Sequence, residues 1–194
     1  MQRSLTQWPP MSGSLSSARW PPGRRLPVTD GLRDTFGSER CFGTPLEESA
    51  IIGISLGLAI RGFRSVPEIQ FNGLSYPAFD QISSHLAEYR NRTRGALPAA
   101  VTIRIPSFGG IGSPEHYSES SETYFVHTAG LHDLTPATPA DAYRLLRYAI
   151  ESDDRSSTLS PSAGAGPKAT STLISPANPS AGRSCASRES TSLS

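Results

Sequence analysis

Long apolar runs are missing from this 194-residue chain. No stretch reaches the roughly 18 apolar residues that a membrane-spanning helix needs. The N-terminus also lacks the continuous apolar segment of a secretory signal. Charge of one sign is missing too. The formal net charge is +1, so electrostatics point neither to nucleic acid nor to an anionic membrane surface. Cysteine is scarce: Cys41 and Cys185 are the two present, far apart and without metal-ligand spacing or a disulfide framework. A cytoplasmic protein is the expectation.

Aromatic residues are absent from Asp153 onward, where Ser, Pro, Ala, Gly and Thr dominate. Such a segment buries too little apolar surface to offset its chain entropy, so 153–194 is expected to be disordered. Residues 1–27 read the same way, apart from Trp8 and Trp20 beside prolines. The foldable part is therefore 28–152, enough for one small α/β unit.

Within it, Thr44-Pro45-Leu46-Glu47 reads as a helix start, with Thr44 as N-cap, Pro45 at the first helical position and Glu47 completing a capping box. The helix should run through Ile51, Ile52, Leu56, Leu58 and Ile60 to Arg61, with Gly62 ending it. Gly53 and Gly57 leave a flat face on it. Val66 to Phe71 reads as a short buried strand. A second helix is expected over Pro77 to Arg90, where Phe79, Ile82, Leu86 and Tyr89 recur at helical spacing. Ala100 to Ile105 alternates Val101, Ile103 and Ile105 with Thr102 and Arg104, a strand pattern. A glycine loop, Gly109 to Gly112, precedes a short helix over Ser121 to His127. A last helix covers Pro139 to Glu151. Helices alternating with short apolar strands imply an α/β fold with a parallel sheet. Two clear strands are too few to close it, so the sheet is expected to be incomplete.

The residues that could carry chemistry are few. Glu48 follows the capping box in an otherwise apolar first turn, where the helix dipole favours a carboxylate. Glu47 is the natural capping residue, which leaves Glu48 without a purely local role. His116, Tyr117, Ser118 and Glu119 form a polar cluster after the glycine loop, and loops carry function disproportionately. The glycine run lacks a phosphate-loop lysine and does not fit a dinucleotide fingerprint. His85 and His127 read as packed or solvated helix residues. His132-Asp133 lies in a turn-like stretch and receives no role. No metal site is read in the chain.

Several strings, in order, resemble one family. Thr44-Pro45-Leu46-Glu47-Glu48-Ser49-Ala50-Ile51-Ile52-Gly53 is similar to the cofactor-activating helix of the β subunits of thiamine-diphosphate-dependent 2-oxo-acid dehydrogenases. Pro67-Glu68-Ile69-Gln70-Phe71, Tyr76-Pro77-Ala78-Phe79-Asp80-Gln81-Ile82, Arg104 to Gly112, Ser118-Glu119-Ser120 and Thr138 to Tyr143 continue the match. The Glu68–Phe71 and Pro77–Gln81 strings resemble branched-chain members more than mitochondrial pyruvate members. The resemblance implies a transketolase-like pyrimidine-binding domain: an incomplete parallel sheet flanked by helices, with disordered tails. It implies thiamine diphosphate as cofactor, with magnesium held mainly by an α subunit in an α2β2 assembly, and a lipoyl acyltransferase component as acyl acceptor. Glu48 matches the glutamate that the β subunit presents to the aminopyrimidine ring, and Leu74 falls in the cofactor pocket. Tyr117 stands where the family has a histidine. A phenol with an ordinary pKa of about 10 exchanges protons poorly at neutral pH beside an imidazole, so acyl transfer to lipoyl is expected to be impaired. The family also has an apolar strand where this chain reads Leu131-His132-Asp133-Leu134-Thr135.

The resemblance stops abruptly at both ends. Shifted by one base from Arg155, codons chosen to suit can encode Pro-Val-Val-Tyr-Leu-Glu-Pro-Lys-Arg-Arg, similar to the family's next strand. Upstream, Trp20 to Pro27 can likewise encode Gly-Arg-Leu-Gly-Gly-Val-Phe-Arg. The expectation is that 1–27 and 153–194 are out-of-frame translations. The alternative to a working subunit is then an inactive truncated relic that at most binds a sibling subunit. An unrelated α/β binding module would leave the ordered strings unexplained.

Overall fold

The computed structural model describes residues 31–97, 99–107, 115 and 119–152, and the backbone course of 14–16, 156–161 and 172–173. A short parallel pair is formed by β1 (Ser14–Ser16) and β2 (Cys41–Gly43), with α1 (Leu32–Phe36) between them. The main sheet contains β3 (Thr102–Ser107), β4 (Asp133–Leu134), β5 (Ser156–Pro161) and β6 (Thr172–Leu173), in the order β3-β5-β4-β6. β5 lies parallel to both β3 and β4, and β6 runs antiparallel. The segment before the second helical region lies on the other side of β3. It bridges in parallel at Ser65–Val101 and Glu68–Arg104.

That flanking segment is the strand expected over Val66 to Phe71, and it is present as extended backbone rather than a full strand. The Ile69 amide donates to the Arg104 carbonyl at 2.9 Å, and the Arg104 amide to the Pro67 carbonyl at 2.9 Å. Pro67 has no amide to return, which interrupts the ladder. With a neighbour on each side, β3 is buried at all six positions. A strand covered on both faces leaves no solvent side for the polar residues of its alternation. Arg104 is therefore buried, and its guanidinium meets the buried Glu68 carboxylate at 2.6 Å.

Within the C-terminal stretch, the backbone of 156–161 and 172–173 lies in the sheet. Apart from 14–16, 156–161 and 172–173, the residues of 1–27 and 153–194 lie outside the described residues.

Four helical regions cover the sheet. α2 (Glu48–Ile60) buries Ile51, Ile52, Ser55 and Ala59. Gly62, at φ +88°, stands where the sequence placed the helix terminator. The expected helix over Pro77 to Arg90 is three pieces: a 3-10 segment (Asn72–Ala78), a π-helical segment (Gln81–Ala87) and α3 (Tyr89–Arg92). Pro77 lies inside the first piece and cannot donate an amide there. The apolar stripe survives the change of pitch, since Ile82 and Leu86 are fully buried. α4 (Glu122–Val126) and α5 (Pro139–Glu151) lie where the sequence placed them, to within a residue. One core joins these layers, built from Ile52 and Ala59 of α2, Ile82 and Leu86, then Val101, Ile103 and Ile105, with Phe125 and Leu131. Gly130 sits so close to the Ala87 carbonyl that an added Cβ would lie 2.5 Å from the oxygen.

Candidate functional site

The site is built around the start of α2. Thr44 is not its N-cap. The Glu47 amide turns back to the Pro45 carbonyl at 3.0 Å, and the first bond of the helix runs from the Ile51 amide to the Glu47 carbonyl at 3.0 Å. Glu47 is thus the N-cap, with extended backbone, and makes no side-chain cap bond. The turn engages the Glu47 amide that a Thr44 cap would have accepted from, so the helix opens three residues later than the capping box predicts. The Thr44 hydroxyl is buried with no hydrogen-bond partner.

This delay places Glu48 as the first helical residue. Its side chain is 7% exposed, and its Oε1 atom is buried with no partner. A buried carboxylate oxygen without a donor is costly unless something else supplies one. The helix N-terminus offsets part of that cost through its aligned dipoles. Next to it, the Ser49 hydroxyl donates to the Pro77 carbonyl at 2.6 Å, tying the first turn of α2 to the 3-10 segment. Leu74 lies in that segment, partly buried and packed against the core. The two residues expected at the cofactor, Glu48 and Leu74, therefore sit on elements joined directly to each other. Tyr117, with His116 and Gly109 to Gly112, lies outside the described residues.

The other end of the 3-10 segment carries a network that sequence reasoning did not find. Asn72 is fully buried and bonded to Ser75, Ser107, Ser121 and the Glu119 carbonyl. The one signal available was an asparagine inside an otherwise apolar stretch, Phe71 to Leu74. Tyr76 donates to the Glu119 carboxylate, and its phenol is pushed up to about 12, chiefly by that bond and then by burial.

A second ionisable group was also unforeseen. Asp133, read as part of a turn, lies in β4, and both its oxygens are buried without partners. Burial and the nearby Glu122 charge push its carboxyl up to about 7. Burial also pulls His132 down to about 4. Among the described residues no three His, Cys, Asp or Glu side chains are grouped to hold a metal. No described helix is long and apolar enough to cross a membrane.

Comparison with known proteins gives the class of this domain. The chain belongs to the transketolase pyrimidine-binding domain family, whose model matches residues 25–161. It is 66% identical over 134 residues to the 3-methyl-2-oxobutanoate dehydrogenase subunit beta of Mycobacterium tuberculosis strain H37Rv, covering 69% of this chain and 38% of that one. It is 52% identical over 134 residues to the pyruvate dehydrogenase E1 component subunit beta of Leifsonia xyli subsp. xyli, covering 69% of this chain and 40% of that one. The chain thus spans about two-fifths of the length of these curated relatives. Among solved structures, a split-gene transketolase in an inactive beta4 tetramer matches with a TM-score of 0.56 and 16% identity. It covers 74% of this chain and 43% of that one, and shows the shared fold alone. The branched-chain flavour of the Glu68–Phe71 and Pro77–Gln81 strings agrees with the higher identity to the 3-methyl-2-oxobutanoate relative.

Proposed function

We propose that this chain is the pyrimidine-binding part of a β subunit in a thiamine-diphosphate-dependent dehydrogenase of branched-chain 2-oxo acids. The observation that carries the reading is Glu48, a buried carboxylate with an unpartnered Oε1 in the first turn of α2. Such an atom fits a ring nitrogen that shares a proton with it. When bound, thiamine diphosphate supplies the electron sink for decarboxylation of the 2-oxo acid. Glu48 holds or moves the proton at the pyrimidine ring, and its burial keeps water from competing for that proton. Leu74 gives the ring an apolar neighbour from the 3-10 segment. An α subunit holds the diphosphate with magnesium, and the acyl group passes to a lipoyl acyltransferase component. Tyr117 is a poor substitute for an imidazole at that transfer. The relatives' names support the substrate class and the need for a partner subunit.

The test is assembly of the full chain with the α subunit of the 3-methyl-2-oxobutanoate relative, followed by magnesium and thiamine diphosphate. Exchange of the cofactor's thiazolium proton into deuterated water is then timed by NMR. Glu48→Gln is expected to slow that exchange by roughly a hundredfold, the scale of a lost proton-transfer group. Equal rates in parent and variant would sink the assignment.

A second reading has its own support: an inactive relic, acting at most as a subunit-binding fragment. β5 is paired with both β3 and β4, yet its sequence, Ser-Ser-Thr-Leu-Ser-Pro, holds a single aliphatic residue, where strands are normally rich in β-branched and aromatic residues. Asp133 on neighbouring β4 is buried without a partner. Shifted by one base from Arg155, codons chosen to suit can encode Val-Val-Tyr-Leu-Glu-Pro over this stretch. Resequencing the gene across the codons for Ala18 to Val28 and Asp154 to Arg155 separates the two. A restored frame removes the relic reading, and a confirmed shift favours it.

A further inference from the structure

Four polar side chains meet inside the apolar core. Asn72 and Ser107 are 0% exposed, and Ser75 and Ser121 are 1% exposed. The Asn72 Nδ2 donates to the Ser107 Oγ at 3.2 Å and to the Glu119 carbonyl at 3.3 Å. Its Oδ1 accepts from the Ser121 hydroxyl and, at 3.5 Å, from the Ser75 hydroxyl. Ser107 in turn donates to the Ile105 carbonyl at 3.2 Å. Both ends of the amide are used.

Apolar side chains of similar volume would fill this space at least as stably, because the net contribution of each buried hydrogen bond is small. What the amide adds is direction. A satisfied buried network fixes how its members lie relative to one another. Its members belong to three pieces of chain: the 3-10 segment carrying Leu74, the end of β3 at Ser107, and the Glu119–Ser121 stem that leads into α4. The Tyr76 bond to the Glu119 carboxylate ties the same segment to the same stem a second time.

We propose that Asn72 is a positioning residue, which sets the Leu74 segment against the end of β3 and the Glu119–Ser121 stem. Its consequence for the cofactor rests on the reading given above. Glu48 reaches this unit through the Ser49–Pro77 bond, so the register of the 3-10 segment also sets the register of the α2 start.

Amide hydrogen exchange on the full chain tests the positioning directly. Asn72→Leu removes all four bonds at similar volume. It is expected to speed exchange roughly tenfold over residues 72–78 and 119–126, the worth of about one hydrogen bond, and to leave α5 unchanged. Ser121→Ala removes one arm and should speed 119–126 while sparing 72–78. It also decides the matter if Asn72→Leu does not fold. A uniform rise that includes α5, or no rise at all, overturns the proposal. In the assembled complex, Asn72→Leu should also slow thiazolium proton exchange about tenfold with subunit association unchanged. An unchanged rate would overturn the cofactor consequence. If the unmutated assembly shows no cofactor exchange, the functional reading fails, and the amide pattern still decides the role of Asn72.

Discussion

Two helix starts in this chain share a signature and fold differently. Thr44-Pro45-Leu46-Glu47 precedes α2, and Thr138-Pro139-Ala140-Asp141 opens α5. At α5 the Thr138 hydroxyl oxygen accepts from the Asp141 amide at 3.1 Å and donates to the Asp141 carboxylate at 2.7 Å. At α2 the same pattern is bypassed by the two-residue turn, and the Thr44 hydroxyl is left buried and unpartnered. The Thr138 cap is exposed, so local hydrogen bonding decides its geometry. The Thr44 hydroxyl is buried, so packing decides its geometry. Each region also holds one buried carboxylate. Glu48 stands on the helix start itself, while Asp133 precedes its helix by several residues, in a strand. A local signature therefore predicts a helix well and its first residue poorly, and the misplaced start is where the candidate chemistry sits.

The comparison is broken most forcefully at the carboxylates. Glu48→Gln should cost roughly a hundredfold in cofactor proton exchange, whereas Asp133→Asn should leave that rate alone. A loss of the same size at Asp133 would erase the functional difference between the two regions. Asp133 acts instead on stability. Its folded carboxyl titrates at about 7 against 3.8 in the free group, so the fold prefers the protonated form. Its contribution to stability is full at low pH and is lost as pH rises from about 4 to 7, by on the order of a few kcal/mol. His132, held down to about 4 against 6.5, acts in the opposite sense. It costs stability as pH falls through the same window. The two slopes largely cancel between pH 4 and 6.5. Asp133→Asn should therefore unmask a stability that rises with pH across that window, and His132→Gln one that falls with pH up to about 7. Urea midpoints measured between pH 4 and 8 check both.

The caps sharpen the comparison at lower energies. Thr138→Ala should destabilise by about 1 kcal/mol, the usual worth of a paired N-cap. Thr44→Val should cost nothing, and should stabilise by up to about 1 kcal/mol by removing a buried hydroxyl without a partner. Equal losses at both threonines in thermal unfolding would show that the two starts are alike in solution.

Much of the fold was legible because its cues are local. The Gly62 terminator and the period of Phe79, Ile82, Leu86 and Tyr89 both act within a few residues. The ordered strings from Thr44 to Tyr143 carry the family, and Glu48 stands out in them by sequence alone. The pitch of the second helical region was not legible. A stripe of Ile82 and Leu86 serves an α- or a π-helix equally, and Pro77 alone did not say which would form. The Asn72 network escaped because its partners, Ser107, Glu119 and Ser121, lie 35 to 49 residues away. Asp133 escaped because a charged residue inside a strand contradicts every pattern used to find one.

The sequence by itself determined the class of fold, the positions of α2, α4 and α5 to within a few residues, the family and the candidate glutamate. Those follow from periodicity, capping and ordered motifs, which are properties of neighbouring residues. Tertiary structure alone decided which hydroxyls find partners, where α2 begins, and that Arg104, Asn72 and the Asp133 carboxylate oxygens are buried. It also decided that Glu48 keeps one oxygen unpaired. Hydrogen bonding and desolvation depend on which distant segments close over a side chain, and no local pattern encodes that closure.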